Sequence, residues 1–185
     1  MQLKRTFNKW FFFRLLGWRI EGEFPFHIPK YVIVVAPHTS NWDVMLGIFC
    51  RNITGLKASF VGKKELFFFP LGILIRSIGG LPVNRGAKTN FVDEVVKLYE
   101  SMPNLVIALA PEGTRKRTDK LKSGFYYIAQ KANIQILPVG LDYKNKRVLI
   151  DLPRNVAETF EEESAKLMHF FGQCTGKNPS LDLRR

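Results

Sequence analysis

From Tyr31 to Ala36 the chain runs YVIVVA without a polar side chain to alternate against, the pattern of a strand covered on both faces. Pro37 ends that run, and Ser40 or Asn41 can cap a following helix, WDVMLGIFCRN. ASFVGK reads as a second short strand, ELFFFPLGILIRSIG as an apolar helix kinked at Pro70, and LPVNRG as a third extended piece. NFVDEVVKLYESM has helical periodicity, with Asn90 as cap and Asp93 and Glu94 in its first turns. NLVIALAP predicts a strand and SGFYYIAQKAN a helix capped by Ser123. IQILPVGLDY and RVLIDLP predict two more strands, and VAETFEEESAKLMHFFG a final helix. Strands alternating with helices of this length predict a single α/β domain with a largely parallel, mixed sheet flanked by helices.

Ahead of this pattern, Leu3, Phe7, Trp10, Phe11, Leu15 and Trp18 recur at helical spacing, with Lys4, Arg5, Lys9 and Arg19 among them. An N-terminal amphipathic helix follows, and its apolar side suits either a lipid interface or the protein core. Arg14 interrupts the stretch and no small-residue cleavage site follows, so it does not read as a signal peptide. The longest apolar run, LFFFPLGILI, falls well short of the roughly 20 residues of a spanning helix. The chain divides into an N-terminal amphipathic segment for membrane association (1–30), a folded body (31–173) and a loose basic tail (174–185).

Charge narrows the choice of partner. The 185 residues hold 28 Lys and Arg against 16 Asp and Glu, a net charge of +12, which favours a polyanion. Nucleic acid, an anionic membrane surface and a phosphorylated small molecule all qualify, but no nucleic-acid recognition motif is present. Sixteen phenylalanines beside this basic excess make the mixture expected at a lipid interface. The two cysteines, Cys50 and Cys174, lie far apart and outside any zinc spacing, which suits a reducing compartment.

Three polar stretches interrupt the apolar frame: HTSNWD (38–43), GGLPVNRG (79–86) and APEGTRKRTDKLKSG (110–124). Two directly follow predicted buried strands, at the carboxyl ends where open α/β sheets bind ligands. With a helix starting near Asn41, the Asp43 carboxylate can fold back onto His38, fix its tautomer and leave Nε2 as a general base. Taken alone, the hexapeptide favours the plainer reading, an acidic residue complementing a helix dipole beside an ordinary loop histidine. No G-x-S-x-G elbow supplies a nucleophile, so the histidine is better suited to activating a substrate hydroxyl, in direct acyl or phosphoryl transfer. Arg85 beside Gly86, and Arg115, Lys116, Arg117, Lys120 and Lys122 after Gly113, offer anion contacts. Phosphate-loop and kinase signatures are absent, which removes support for nucleotide hydrolysis. His27 and His169 have no ordered partner in sequence and read as structural or surface residues.

In order along the chain, His38-x4-Asp43, Gly79 to Arg85, Pro111-Glu112-Gly113-Thr114-Arg115 and Leu137-Pro138-Val139 resemble the four motif blocks of the glycerolipid acyltransferases, the lysophosphatidic acid acyltransferase family. VGKKEL (61–66) and KSG (122–124) look like that family's connecting segments, so the resemblance covers about residues 31–143. It implies that 31–173 is an acyltransferase domain in which His38 is the base and Asp43 orients it. The donor it implies is acyl-CoA or an acyl-carrier-protein thioester, with no cofactor and no metal. The acceptor would be a phosphorylated lyso-lipid, in phospholipid biosynthesis at the cytoplasmic face of the membrane. Arg85, Glu112, Gly113, Thr114 and Arg115 would bind the acceptor, with Glu112 holding Arg85 or Arg115 in place, and Lys63 would serve a headgroup or the developing oxyanion. Pro37 departs from the polar residue many relatives carry before the histidine, and the chain is shorter than many of them. The acceptor therefore stays open to another lysophospholipid or an acylated amino acid, and a noncatalytic lipid or anion binding module is the competing reading. The apolar stretch 65–80 suits an acyl groove or insertion into the bilayer.

Overall fold

A computed structural model describes residues 9–84 and 90–183. Seven strands form one mixed sheet: β1 (Arg19–Glu21), β2 (Lys30–Ala36), β3 (Ala58–Lys63), β4 (Gly80–Val83), β5 (Leu105–Leu109), β6 (Gln135–Asp142) and β7 (Arg147–Ile150). The order across the sheet is β1-β7-β6-β2-β5-β3-β4. From β6 to β4 every neighbouring pair is parallel, whereas β7 runs antiparallel to β6 and carries β1 with it. This is the single α/β domain that the alternating pattern predicts.

Alternate residues of β2 explain its unbroken apolar run. Val32, Val34 and Ala36 join one core with Ile107 and Ile136. That core is covered by helices α3 (Phe91–Ser101), α4 (Gly124–Ala132) and α5 (Phe160–Phe171). Tyr31 and Ile33 join the other, with Val106, Leu137 and Leu141. Leu46, Cys50 and Ile53 of helix α1 (Trp42–Thr54) cover that side together with Phe12, Trp18 and Phe24. Both faces are therefore dry, which is what permits a strand without polar alternation.

Several expectations need correction. The apolar stretch after β3 is not one kinked helix: a 3-10 turn, Lys64–Leu66, ends before helix α2 (Leu71–Ser77), with Pro70 at its N-cap. Proline disfavours helix in the residue before it and lacks the N–H that would continue the hydrogen-bond ladder, so it starts α2 rather than bending it. Helix α5 begins at Phe160, not Val156, because Thr159 caps it by accepting from the Glu162 N–H. Ser123 and Asn41 occupy cap positions without side-chain cap bonds, while Asn90 caps α3 as expected, accepting from Val92 N–H. β1 lies within the stretch assigned to an N-terminal segment and has no pattern of its own.

Of the predicted N-terminal helix, Leu3 and Phe7 fall outside the described residues, and Trp10–Leu15 forms a π-helical segment. Its sides divide between the two readings: Phe12 and, just beyond it, Trp18 are buried in the core, whereas Trp10, Phe13 and Leu15 are exposed. Residues 174–183 are not a loose tail. Cys174 is buried, Thr175 exchanges bonds with Tyr143 and Asp142, and Gly176 N–H donates to Asp182. A glycine-, asparagine- and aspartate-containing stretch that satisfies its own and its neighbours' backbone groups has no need of bulk water.

Candidate active site

The parallel strands bring the turns after β2, β5 and β6 to one edge of the sheet. His38 stands two residues beyond β2 and Asp43 in the first turn of α1. His38 Nδ1 lies 3.0 Å from Asp43 Oδ2, the carboxylate only 2% exposed and the imidazole 19%. The same Oδ2 accepts from Ser40 N–H at 2.9 Å, and Ser40 Oγ accepts in turn from Trp42 N–H at 3.2 Å. Asp43 therefore reaches back across the helix start to a backbone N–H ahead of it, while Ser40 holds the N–H of the first helical residue. The helix-dipole role and the histidine-orienting role, posed as alternatives in sequence, are thus filled by one carboxylate at once.

Asp43 has a third donor. Tyr143, the residue after β6, gives its hydroxyl to Asp43 Oδ1 at 2.6 Å. Burial alone would push the Asp43 carboxyl up, but the bonds from His38, Tyr143 and Ser40 outweigh it and hold the group below its ordinary range. Burial and the adjacent carboxylate both push the Tyr143 phenol far up, so it stays a hydrogen donor at any working pH. A carboxylate on Nδ1 fixes that nitrogen as the N–H and leaves Nε2 as the acceptor. Arg115 Nε approaches Nε2 at 3.4 Å, consistent with that tautomer, because a guanidinium can only donate.

Glu112 is placed differently from its expected role. Rather than holding an arginine among the described residues, its Oε2 accepts from the His38 backbone N–H at 2.7 Å, tying the turn after β5 to the turn after β2. It is 2% exposed, and burial pushes its carboxyl up to about 7 against the partial relief given by the His38 N–H. Gly113 has φ +62°, a left-handed conformation that favours glycine where the chain turns toward Arg115. Thr114 Oγ1 accepts from Lys116 N–H at 3.1 Å, holding the local turn. Lys63 is exposed at the carboxyl end of β3, two strands from β2 on the same edge. Arg85 follows β4 and lies outside the described residues.

Two further residues touch this turn that the sequence did not single out. Thr39 is buried, with its Oγ1 accepting from Asn178 N–H at 3.1 Å and its carbonyl from Asn178 Nδ2 at 2.8 Å. Tyr143 was findable, since it follows a buried strand at the ligand-binding edge just as His38 and Glu112 do. Asn178 carried no such signal. His27 and His169 are both exposed, and no cluster of metal-ligating side chains exists among the described residues.

The family model described as Acyltransferase matches residues 19–142, most of the folded body. The chain belongs to the acyltransferase family. The crystal structure of the 1-acyl-sn-glycerophosphate (LPA) acyltransferase PlsC from Thermotoga maritima shares the fold of this acyltransferase, with a TM-score of 0.60 over 93% of this chain and 76% of that one. Identity between the two is 23%, so the likeness is one of fold. A search among curated proteins returns no sequence match for this acyltransferase.

Proposed function

We propose that the protein transfers a fatty acyl group from acyl-CoA or an acyl-carrier-protein thioester to the hydroxyl of a lysophosphatidate-like acceptor, as a 1-acylglycerol-3-phosphate acyltransferase does. The observation that carries this is the His38–Asp43 pair, with Nδ1 on the carboxylate and Nε2 facing the Arg115 guanidinium. The acceptor phosphate draws Arg115 from Nε2, and the acceptor hydroxyl takes its place. Nε2 removes the hydroxyl proton as the oxygen attacks the thioester carbonyl carbon. Asp43 stabilises the imidazolium formed in that step. Collapse of the tetrahedral intermediate breaks the carbon–sulfur bond, and the imidazolium returns the proton to the departing thiolate, leaving an ester and a free thiol. No metal or cofactor enters these steps.

Arg85, Lys63, Gly113, Thr114 and the basic run after Arg115 complete the anion site in this reading, whose strength comes from charge-assisted, bidentate contacts to phosphate. Exposed Phe68 and Phe69, at 59% and 82%, together with Ile73 and Leu74 form an apolar surface between Lys63, Lys64 and Arg76. That mixture suits peripheral binding to an anionic cytoplasmic membrane face, where both acceptor and acyl chain reside. No helix among the described residues is long and apolar enough to cross a membrane.

The test is thiol release from acyl-CoA or acyl carrier protein, with and without a panel of lyso-acceptors and acylated amino acids, products being resolved by mass. Release that depends on a phosphorylated lyso-lipid, and falls by at least a hundredfold in His38→Ala, is expected. Near-wild-type turnover in that variant would remove the histidine from the mechanism. Anion or lipid binding with no acylated product would make the protein a binding module.

A further inference from the structure

We infer that Tyr143 is a positioning residue for the catalytic pair, acting through the second oxygen of Asp43; this rests on the acyl-transfer reading above. A carboxylate has two oxygens and can rotate about its Cβ–Cγ bond, so one bond to His38 does not by itself fix the imidazole. Here Oδ1 is taken by the Tyr143 hydroxyl at 2.6 Å, and Oδ2 by His38 Nδ1 and Ser40 N–H. Rotation of Asp43 therefore has to break bonds on both sides at once, inside a site where the side chain is 2% exposed and lost bonds are not replaced by water.

Tyr143 is itself held at three points. Its ring meets Trp18 edge to face at a centroid distance of 4.9 Å, its backbone N–H donates to Thr175 O at 2.7 Å, and its preceding residue, Asp142, accepts from Thr175 N–H. Three residues on, Asn178 clamps Thr39, the neighbour of His38. The segment from Thr175 to Asn178 thus joins the anchor of Asp43 to the loop that carries the base. Tyr143 and Asn178 both lie beyond residue 142, where the family match ends.

The hydroxyl also sets how much of the carboxylate's charge reaches His38. Among the described residues, the charged groups near the pair include Glu112 and Arg115 from the turn after β5, and Asp182 and Lys177 from the segment after α5, the last lying over the Trp42 ring. In Tyr143→Phe, Asp43 keeps its charge and loses one donor, so its field on the imidazole grows and the protonated base is favoured. The acid limb of the kcat profile is expected to move to higher pH, with kcat down about tenfold and KM within about twofold.

The deciding experiment is acceptor-dependent thiol release against pH for wild type, Tyr143→Phe, Asp43→Asn, the double variant and Asn178→Ala, each normalised to folded protein by circular dichroism. Tyr143→Phe should add little in the Asp43→Asn background, because the hydroxyl works through that carboxylate. Asn178→Ala should lower kcat without moving the acid limb, since it loosens Thr39 and leaves Asp43 its three donors. An unchanged limb in Tyr143→Phe, an equal loss in the Asp43→Asn background, or an equal limb shift in Asn178→Ala would each overturn the assignment. His38→Ala separates the two levels. Inactive His38→Ala with unchanged Tyr143→Phe rejects the brace alone, whereas active His38→Ala rejects the acyl-transfer reading and the brace with it.

Discussion

Burial of Glu112 leads to a stability effect whose sign depends on pH. Its carboxyl ionises at about 7 in the folded chain, against about 4.3 when unfolded. Because the folded value is raised, the folded state binds the proton more tightly. The resulting stabilisation is complete below about pH 4.3 and is lost as pH rises through 7. Complete ionisation removes on the order of 3 kcal/mol, most of it between pH 5 and pH 8. Glu112→Gln keeps an oxygen that can accept from the His38 N–H and cannot ionise. Relative to wild type, the variant should therefore gain about 2 kcal/mol between pH 5 and pH 8, which is roughly a 1 M difference in urea midpoint. Urea unfolding of both proteins at the two pH values reads this directly. A wild-type-minus-variant difference that stays constant from pH 5 to pH 8 would refute the reasoning, since Glu112 would then ionise in the fold as it does in water.

Two other consequences are open to measurement. Gly113→Ala places a Cβ at φ +62° against Lys122 and should cost about 1–2 kcal/mol by thermal or urea unfolding, with a larger loss of acceptor affinity because Arg115 is displaced; wild-type stability and KM would show that the turn tolerates a side chain. Replacing Phe68 and Phe69 together by serine should reduce partition onto anionic vesicles at least tenfold in sedimentation assays, because each ring offers about 1.5–3 kcal/mol on full burial; undiminished binding would exclude this patch as the lipid contact.

The fold was legible where burial leaves a pattern. β2 and β5 announce themselves because both faces of the sheet are covered. β1 is only three residues long, and it exists through pairing with β7, more than a hundred residues away, which no local window contains. The stretch from Leu66 to Ile75 misleads periodicity because its residues are apolar throughout, and the backbone constraint of Pro70 decides the outcome. The site divides along the same line. His38, Asp43, Glu112, Gly113 and Arg115 were readable as residue types that follow buried strands, and the chain brings them together. Beyond the His38–Asp43 bond, their partners were not readable: Glu112 accepts from a backbone N–H and holds no arginine among the described residues, and Tyr143 and Asn178 reach Asp43 and Thr39 through tertiary contacts.

The clamp between Thr39 and Asn178 spans 139 positions of sequence. Translation proceeds from the N-terminus at about 5–20 residues per second, so the loop bearing His38 leaves the ribosome on the order of ten seconds before the residue that fastens it. Over that interval a nascent chain can pair β2 with β5 while the loop bearing His38 is unsecured. The order of synthesis therefore makes fastening of the His38 loop a late event, completed only when the last few residues of the folded body are in place.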